Sequence, residues 1–391
     1  MKIARIEDLH CDAGWRVFSF LKISTDDGLV GWSEYNESYG SKGLSAVIRK
    51  LGELLIGKDP RPVERISQML YSITRQAPEG LNRQAIAAIE NALLDVKAKA
   101  LGIPVYALFG GPVRDRLPLY WSHCGSYLLN HADKIGVPPV RGLDDLVTLG
   151  KRVKDSGFKA LKTNIFRFDG RPPYMQQPGF GRTAGGPELN HDGATIAALR
   201  DELSAFRQGA GPDMGILVDL NFNFKTEGFI KMARALEPFD LFWLEMDTYD
   251  AEGLRLIRDR APMPVASCES LHGRRQFRPF LENRSMDVAI VDVPWNGLQE
   301  SVKIAAMAEP YEINCAPHNF YGHMSTLMSA HFCAAIPNFR VMEIDVDDIP
   351  WKDDLVTHPP VIENGELVVP TRPGWGADIN EEVVRAHPPR T

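Results

Sequence analysis

Seven residues able to act as acid, base or ligand stand at or near the ends of short apolar runs. They are Lys162 in FKALKTNI, Asp219 in GILVDLN, Glu245 in LFWLE, Glu269 in PVASCE, Asp292 in DVAIVD, His318 just after EINCAP, and Glu343 in FRVMEI. Asp219, Glu245 and Glu269 fall on successive runs. Three carboxylates brought to one point repel one another and are costly to desolvate, so they call for a divalent cation. An all-oxygen donor set favours Mg²⁺ over Zn²⁺, which takes His and Cys. Asp292 and His318 end neighbouring runs. An Asp accepting from one imidazole nitrogen fixes the tautomer and raises the basicity of the other, which makes His318 a candidate general base. His123, His272, His323 and His331 lack that context and read as structural or secondary.

The elements that must position these residues recur along the chain. With LPLYWS (117–122), the apolar runs number eight, mostly 20 to 30 residues apart, with helical stretches between them. Alternating strands and helices over this length imply a parallel sheet, and eight units imply closure into a (β/α)₈ barrel. Barrel active sites lie at the C-terminal strand ends, where the seven residues stand. A doubly wound open sheet is the structural alternative, but no G-x-G-x-x-G or Walker A run follows a strand. A barrel hydrolase would collect His ligands, often as H-x-H after its first strand, and Trp121-Ser122-His123-Cys124 offers no such pair.

Before the barrel, VFSFLKIST and LVGWSEY read as a hairpin turning at Asp26-Asp27-Gly28. NRQAIAAIENALLDVKAKALG carries Ile86, Ile89, Leu93 and Val96 at helical spacing, with Gly102 as its stop. The expected division is therefore an α+β capping domain over 1–115, a barrel over 116–350, and a Pro- and Gly-rich segment over 351–391 that packs back on the cap.

Composition narrows the class. The 391 residues are 44% hydrophobic and 24% charged, with a formal net charge of −7. The acidic balance argues against nucleic acid or an anionic membrane as partner. The five cysteines form no C-x-x-C pair and read as free thiols. The N-terminal stretch has no apolar core of a signal peptide, and no run of about 18 apolar residues occurs. A cytoplasmic enzyme acting on a small molecule is expected.

The ordered set Lys162-Thr163-Asn164, Asp219-Leu220-Asn221, Glu245, Glu269, Asp292, Pro317-His318 and Glu343 resembles the enolase superfamily, specifically its mandelate racemase branch. AIAAIENALLDVKAKALGIPVYALFGG, GLVGWSEY and PGWGADINEEVV resemble further parts of that family, so the likeness spans nearly the whole chain. The resemblance implies that Asp219, Glu245 and Glu269 bind Mg²⁺ and that the metal and Lys162 hold a substrate carboxylate. It implies that His318, backed by Asp292, removes the α-proton. Glu343, protonated, would donate to the carboxylate as it gains charge, and Asn221 would contact a substrate hydroxyl. It also implies a homo-oligomer, and cap residues such as Trp15 and Arg16 lying over the site.

One departure bears on the reaction. The racemase carries K-x-K on its second strand, the second Lys being a base on the opposite face. Here that position is Asn164, which accepts no proton at neutral pH and reads instead as a substrate contact. One base suits a dehydratase of acid sugars, which expels the β-hydroxyl and yields a 2-keto-3-deoxy acid. A racemase or epimerase, or a cycloisomerase of a sugar lactone, is the alternative on the same scaffold. The segment from Arg167 to Asp192 is long for a turn after a barrel strand. Its Arg167, Arg171, Arg182, Tyr174 and His191 suit either a lid over a polyol or distal carboxylate, or a contact between subunits.

Overall fold

The structure is a computed structural model and describes residues 1–39, 41–170, 172–180 and 193–390. Arg171, Arg182 and His191, and with them half of the expected lid, lie outside the described residues.

The chain opens with a three-stranded antiparallel sheet of Ile3–Asp12, Val17–Thr25 and Val30–Tyr35. The expected hairpin forms its last two strands. Ile3–Asp12 is an additional edge strand, whose charged outer positions break the alternation that would have revealed it. Three helices follow, Leu44–Gly52, Val63–Thr74 and Leu81–Leu101. The last is buried almost without interruption from Gln84 to Val96, because it lies between the cap sheet and the barrel. The sheet meets it at Gly31, where a Cβ would stand 2.2 Å from the carbonyl oxygen of Ala92. On its other side Asn91 donates to the carbonyl of Val293 at 3.2 Å and accepts from the amide of Leu298 at 2.8 Å.

Eight parallel strands make the barrel: Arg116–Trp121, Ala160–Thr163, Gly215–Asp219, Trp243–Glu245, Val265–Ser267, Val288–Asp292, Asn314–His318 and Met342–Ile344. Each of the eight apolar runs supplies one. The eighth pairs with the first, and the lead-in to the eighth bridges the seventh at Phe339–Cys315, which closes the ring. Tyr120, Ala160, Leu217, Trp243, Ala266, Ile290, Ala316 and Val341 fill the interior as a separate apolar cluster, large beside small.

The last forty residues divide their contacts. Glu366–Val368 adds antiparallel to the first barrel strand. Trp375 turns to the cap, its indole donating to the carbonyl of Trp32 at 2.8 Å. All five cysteines are buried and unpaired. Among the described residues, no helix is long and apolar enough to cross a membrane.

Candidate active site

Parallel register sets the site. Asp219 stands beside Glu245 on the third and fourth strands, and Asp292 beside His318 on the sixth and seventh. Glu269 follows the fifth strand through Cys268, whose φ of 90° bends the chain out of the sheet. Such a value is strained for any residue but glycine, and strain of this kind concentrates at functional sites. Asp219, Glu245 and Glu269 each offer a carboxylate oxygen, all within 4.8 Å of one another.

The charge at that point is under-compensated. Burial, with repulsion from Glu269, lifts Asp219 to about 6 against the pull of Lys162. Burial and the neighbouring carboxylates lift Glu245 to about 8. Lys162 is the ammonium among them, 3.2 Å from Glu245, 3.9 Å from Asp219 and 2.9 Å from Glu343. A fourth carboxyl, Asp247, is buried beside the cluster and held well above its ordinary range by burial and by Glu269. Three oxygen donors with one lysine between them fit a small hard cation that brings two charges of its own.

Facing the cluster, His318 Nδ1 lies 2.7 Å from Asp292 Oδ2. The Tyr321 hydroxyl donates to that same oxygen, and the amide of Trp295 donates to Oδ1 at 2.7 Å. Asp292 is fully buried, which raises its carboxyl above the ordinary range, and these three donors oppose that rise. His318 Nε2 is 3.6 Å from Glu269. Burial would lower the imidazole, but Glu269 and Asp292 outweigh it and raise His318 to about 10.

Other residues differ from expectation. Glu343 was expected to be a protonated donor. It is instead an acceptor, from Lys162, the Ser122 hydroxyl and the amide of Asn319 at 2.6 Å. Burial would raise its carboxyl, but Lys162, His318 and His123 draw it down to about 2. Asn164 spends its side chain on the protein, accepting from Ser126 at 2.7 Å and donating to the carbonyl of Asp219 at 3.2 Å. Asn221, at φ 46°, donates its backbone amide to Asp219 at 2.8 Å, and its buried Oδ1 has no partner among the described residues.

Arg16 does reach the barrel mouth from the cap, but as a clamp. Its guanidinium binds Asp345 at 3.0 Å, Asp348 at 2.6 Å, Tyr127 and the carbonyl of Phe320. Arg167 bonds to Gln176, Thr195 and Asp169. Sequence reasoning missed Tyr321, Asp247 and Asp345. Asp247 and Asp345 each left a trace, an Asp two residues beyond the strand-end carboxylates Glu245 and Glu343.

Comparison with known proteins agrees over both parts of the chain. Residues 13–110 match the mandelate racemase / muconate lactonizing enzyme N-terminal domain, and residues 145–383 match the enolase C-terminal domain-like family. The D-xylonate dehydratase of Haloferax volcanii is 28% identical over 376 residues, covering 94% of this chain and 84% of that protein. The D-galactarolactone cycloisomerase of Agrobacterium fabrum is 28% identical over 381 residues, covering 94% and 90%. A Burkholderia xenovorans crystal structure superposes with a TM-score of 0.97 at 49% identity, covering 100% of this chain and 97% of that one. That protein is provisionally named an L-alanine-DL-glutamate epimerase and is bound to magnesium and fumarate.

Proposed function

We propose, on the premise that the chain belongs to the mandelate racemase / muconate lactonizing enzyme family of the enolase superfamily, that it is an acid-sugar dehydratase. The observation that carries this reading is the His318–Asp292 pair, 2.7 Å apart, set across from the three-carboxylate cluster while Asn164 holds the place of a second base. Asp219, Glu245 and Glu269 would hold Mg²⁺, which bound there supplies positive charge to a substrate carboxylate and to the negative charge that gathers on it. Lys162 binds the same carboxylate from the second strand. His318 takes the proton from Cα. Asp292 keeps that imidazole's accepting nitrogen turned to the cleft, and Tyr321 and Trp295 keep Asp292 in place. Ionised Glu343 orients Ser122, Asn319 and Lys162. The electron pair left at Cα expels the β-hydroxyl, and the enol that results becomes a 2-keto-3-deoxy acid. Residues 1–115 and 351–391 serve as the cap, and 116–350 carry the chemistry.

An epimerase is the second reading, favoured by the name given to the Burkholderia protein. Incubating the enzyme with Mg²⁺ and a panel of aldonates and aldarates in D₂O separates the two. A dehydratase forms 2-keto acid. Deuterium at Cα of recovered, inverted substrate would overturn the dehydratase in favour of the epimerase.

A further inference from the structure

A second imidazole–carboxylate pair stands at the same barrel mouth. His123 follows the first strand with φ 45°, a left-handed backbone that lifts its ring over the strand end. Its Nδ1 lies 2.9 Å from Asp345 Oδ1, at the end of the eighth strand, and 3.2 Å from the Ser122 hydroxyl. Asp345 is buried and also accepts from Arg16 at 3.0 Å and from Tyr127 at 3.0 Å. His123, Arg16 and Lys352 thus hold it ionised against burial. No described residue takes the other ring nitrogen, Nε2, and the side chain is 21% exposed.

The placement ties this pair to the site already described. The Phe320 ring lies against both imidazoles, 4.9 Å from His318 and 6.2 Å from His123. His123 is near enough to Asp219 and Glu343 to pull on both carboxyls, helping to lower Glu343 and opposing the rise of Asp219. Around the ring, His318 on the seventh strand and His123 beyond the first flank Glu343 on the eighth, opposite the three carboxylates. Each imidazole is held through Nδ1 by its own buried Asp, which leaves Nε2 for transfer. In sequence His123 looked structural, because nothing nearby in the chain announces Asp345.

We propose that His123, oriented by Asp345, is the general acid that protonates the β-hydroxyl as it leaves. This rests on the dehydratase reading. His318 Nε2 gains the Cα proton, and that bond's electron pair passes into the carboxylate. The pair returns to form the Cα–Cβ double bond as the Cβ–O bond breaks. The departing oxygen takes a proton from His123 Nε2 and leaves as water. His318 then delivers its proton to Cβ as the enol hydroxyl loses its own to solvent and becomes the keto group, and His123 regains a proton from solvent. With acid and base on different strands, His318 need not perform both transfers.

The test uses His123→Asn in D₂O with Mg²⁺ and the aldonate or aldarate that the wild-type enzyme dehydrates, alongside the 3-deoxy-3-fluoro analogue of that acid. Fluoride leaves without a proton. The expected result is a fall in dehydration kcat of at least about 100-fold, the usual contribution of a positioned acid. Cα deuterium exchange and fluoride release stay within about tenfold of wild type, which also shows that the variant is folded. Dehydration at the wild-type kcat would overturn the proposal. So would a joint fall of exchange, dehydration and fluoride release, the signature of a binding or structural role. His318→Asn separates this from the parent reading: if it leaves Cα exchange intact, the site assignment itself fails, and the role of His123 with it.

Discussion

Adding Mg²⁺ to the metal-free protein should expel protons, and the structure says from where. His318 is held at about 10 chiefly by Glu269 and Asp292, working against burial. At the 3.6 Å separation of Nε2 and Glu269, a pair of unit charges in an effective dielectric of about 20 interacts by about 4.6 kcal/mol. Neutralising Glu269 with a cation removes up to that much, equivalent to about three pH units, and brings the imidazole from about 10 toward about 7. Glu245, lifted to about 8, must also lose its proton to act as a ligand. The sign is the same for both groups: each is protonated at pH 7 without metal and is driven to release on binding. About one and a half protons should therefore leave per Mg²⁺ near pH 7, with the apparent dissociation constant falling about 30-fold per pH unit there. Calorimetry in two buffers of different ionisation enthalpy counts the protons, and imidazole NMR follows His318. Equal heats in both buffers, or a His318 titration unmoved by Mg²⁺, would refute the reasoning. On the proposed reading the consequence for catalysis is direct, since His318 would become a base at neutral pH only with the metal site filled.

Asp292→Asn should lower kcat by about 10³ while leaving Mg²⁺ affinity unchanged, because an amide facing Nδ1 favours the tautomer whose Nε2 already carries the proton. Steady-state kinetics beside metal titration checks this, and a loss under tenfold would count against Asp292 as the orienting group. Glu245→Gln should weaken Mg²⁺ binding at least about 100-fold, yet raise the melting temperature of the metal-free protein at pH 8. It removes a carboxyl whose folded value, about 8, lies above its unfolded one, so wild type loses stability as pH rises toward that value; a lower melting temperature in the variant would contradict the repulsion described here. Gly31→Ala should destabilise the chain by about 1–3 kcal/mol in thermal or denaturant unfolding, since the added methyl meets the Ala92 carbonyl oxygen at 2.2 Å and Val96 at 2.5 Å.

The barrel was legible because each strand announced itself twice, as an apolar run and as a polar residue where the run stops. The long cap helix was legible from its period and from Gly102, which ends it at φ 66°. What stayed hidden depends on the sum of distant neighbours. Glu343 was expected neutral because a donor was wanted there, but ionisation is decided by Lys162, 181 positions away in sequence and 2.9 Å away in space. Arg16 was expected over the substrate because it sits in a cap loop, and no local pattern shows that Asp345 and Asp348 wait for it more than three hundred residues on. The edge strand Ile3–Asp12 escaped for the converse reason, its register being supplied by Val17–Thr25 and not by its own alternation.

The same long-range contacts explain how a barrel tolerates so much buried charge at one mouth. Each imidazole pair is anchored to the cap by a cap side chain. Arg16 fixes Asp345, which fixes His123. Glu34, on the last cap strand, accepts from the amides of Gly322 at 2.7 Å and Ser325 at 2.9 Å. Those amides open the helix His323–Ala335 immediately after the His318–Tyr321 turn, and an acidic group at a helix N-terminus satisfies donors that would otherwise be orphaned. Neither clamp touches the three metal-site carboxylates. Their mutual repulsion is thus left unrelieved by the cap, while His123 and His318 are positioned by contacts separate from it.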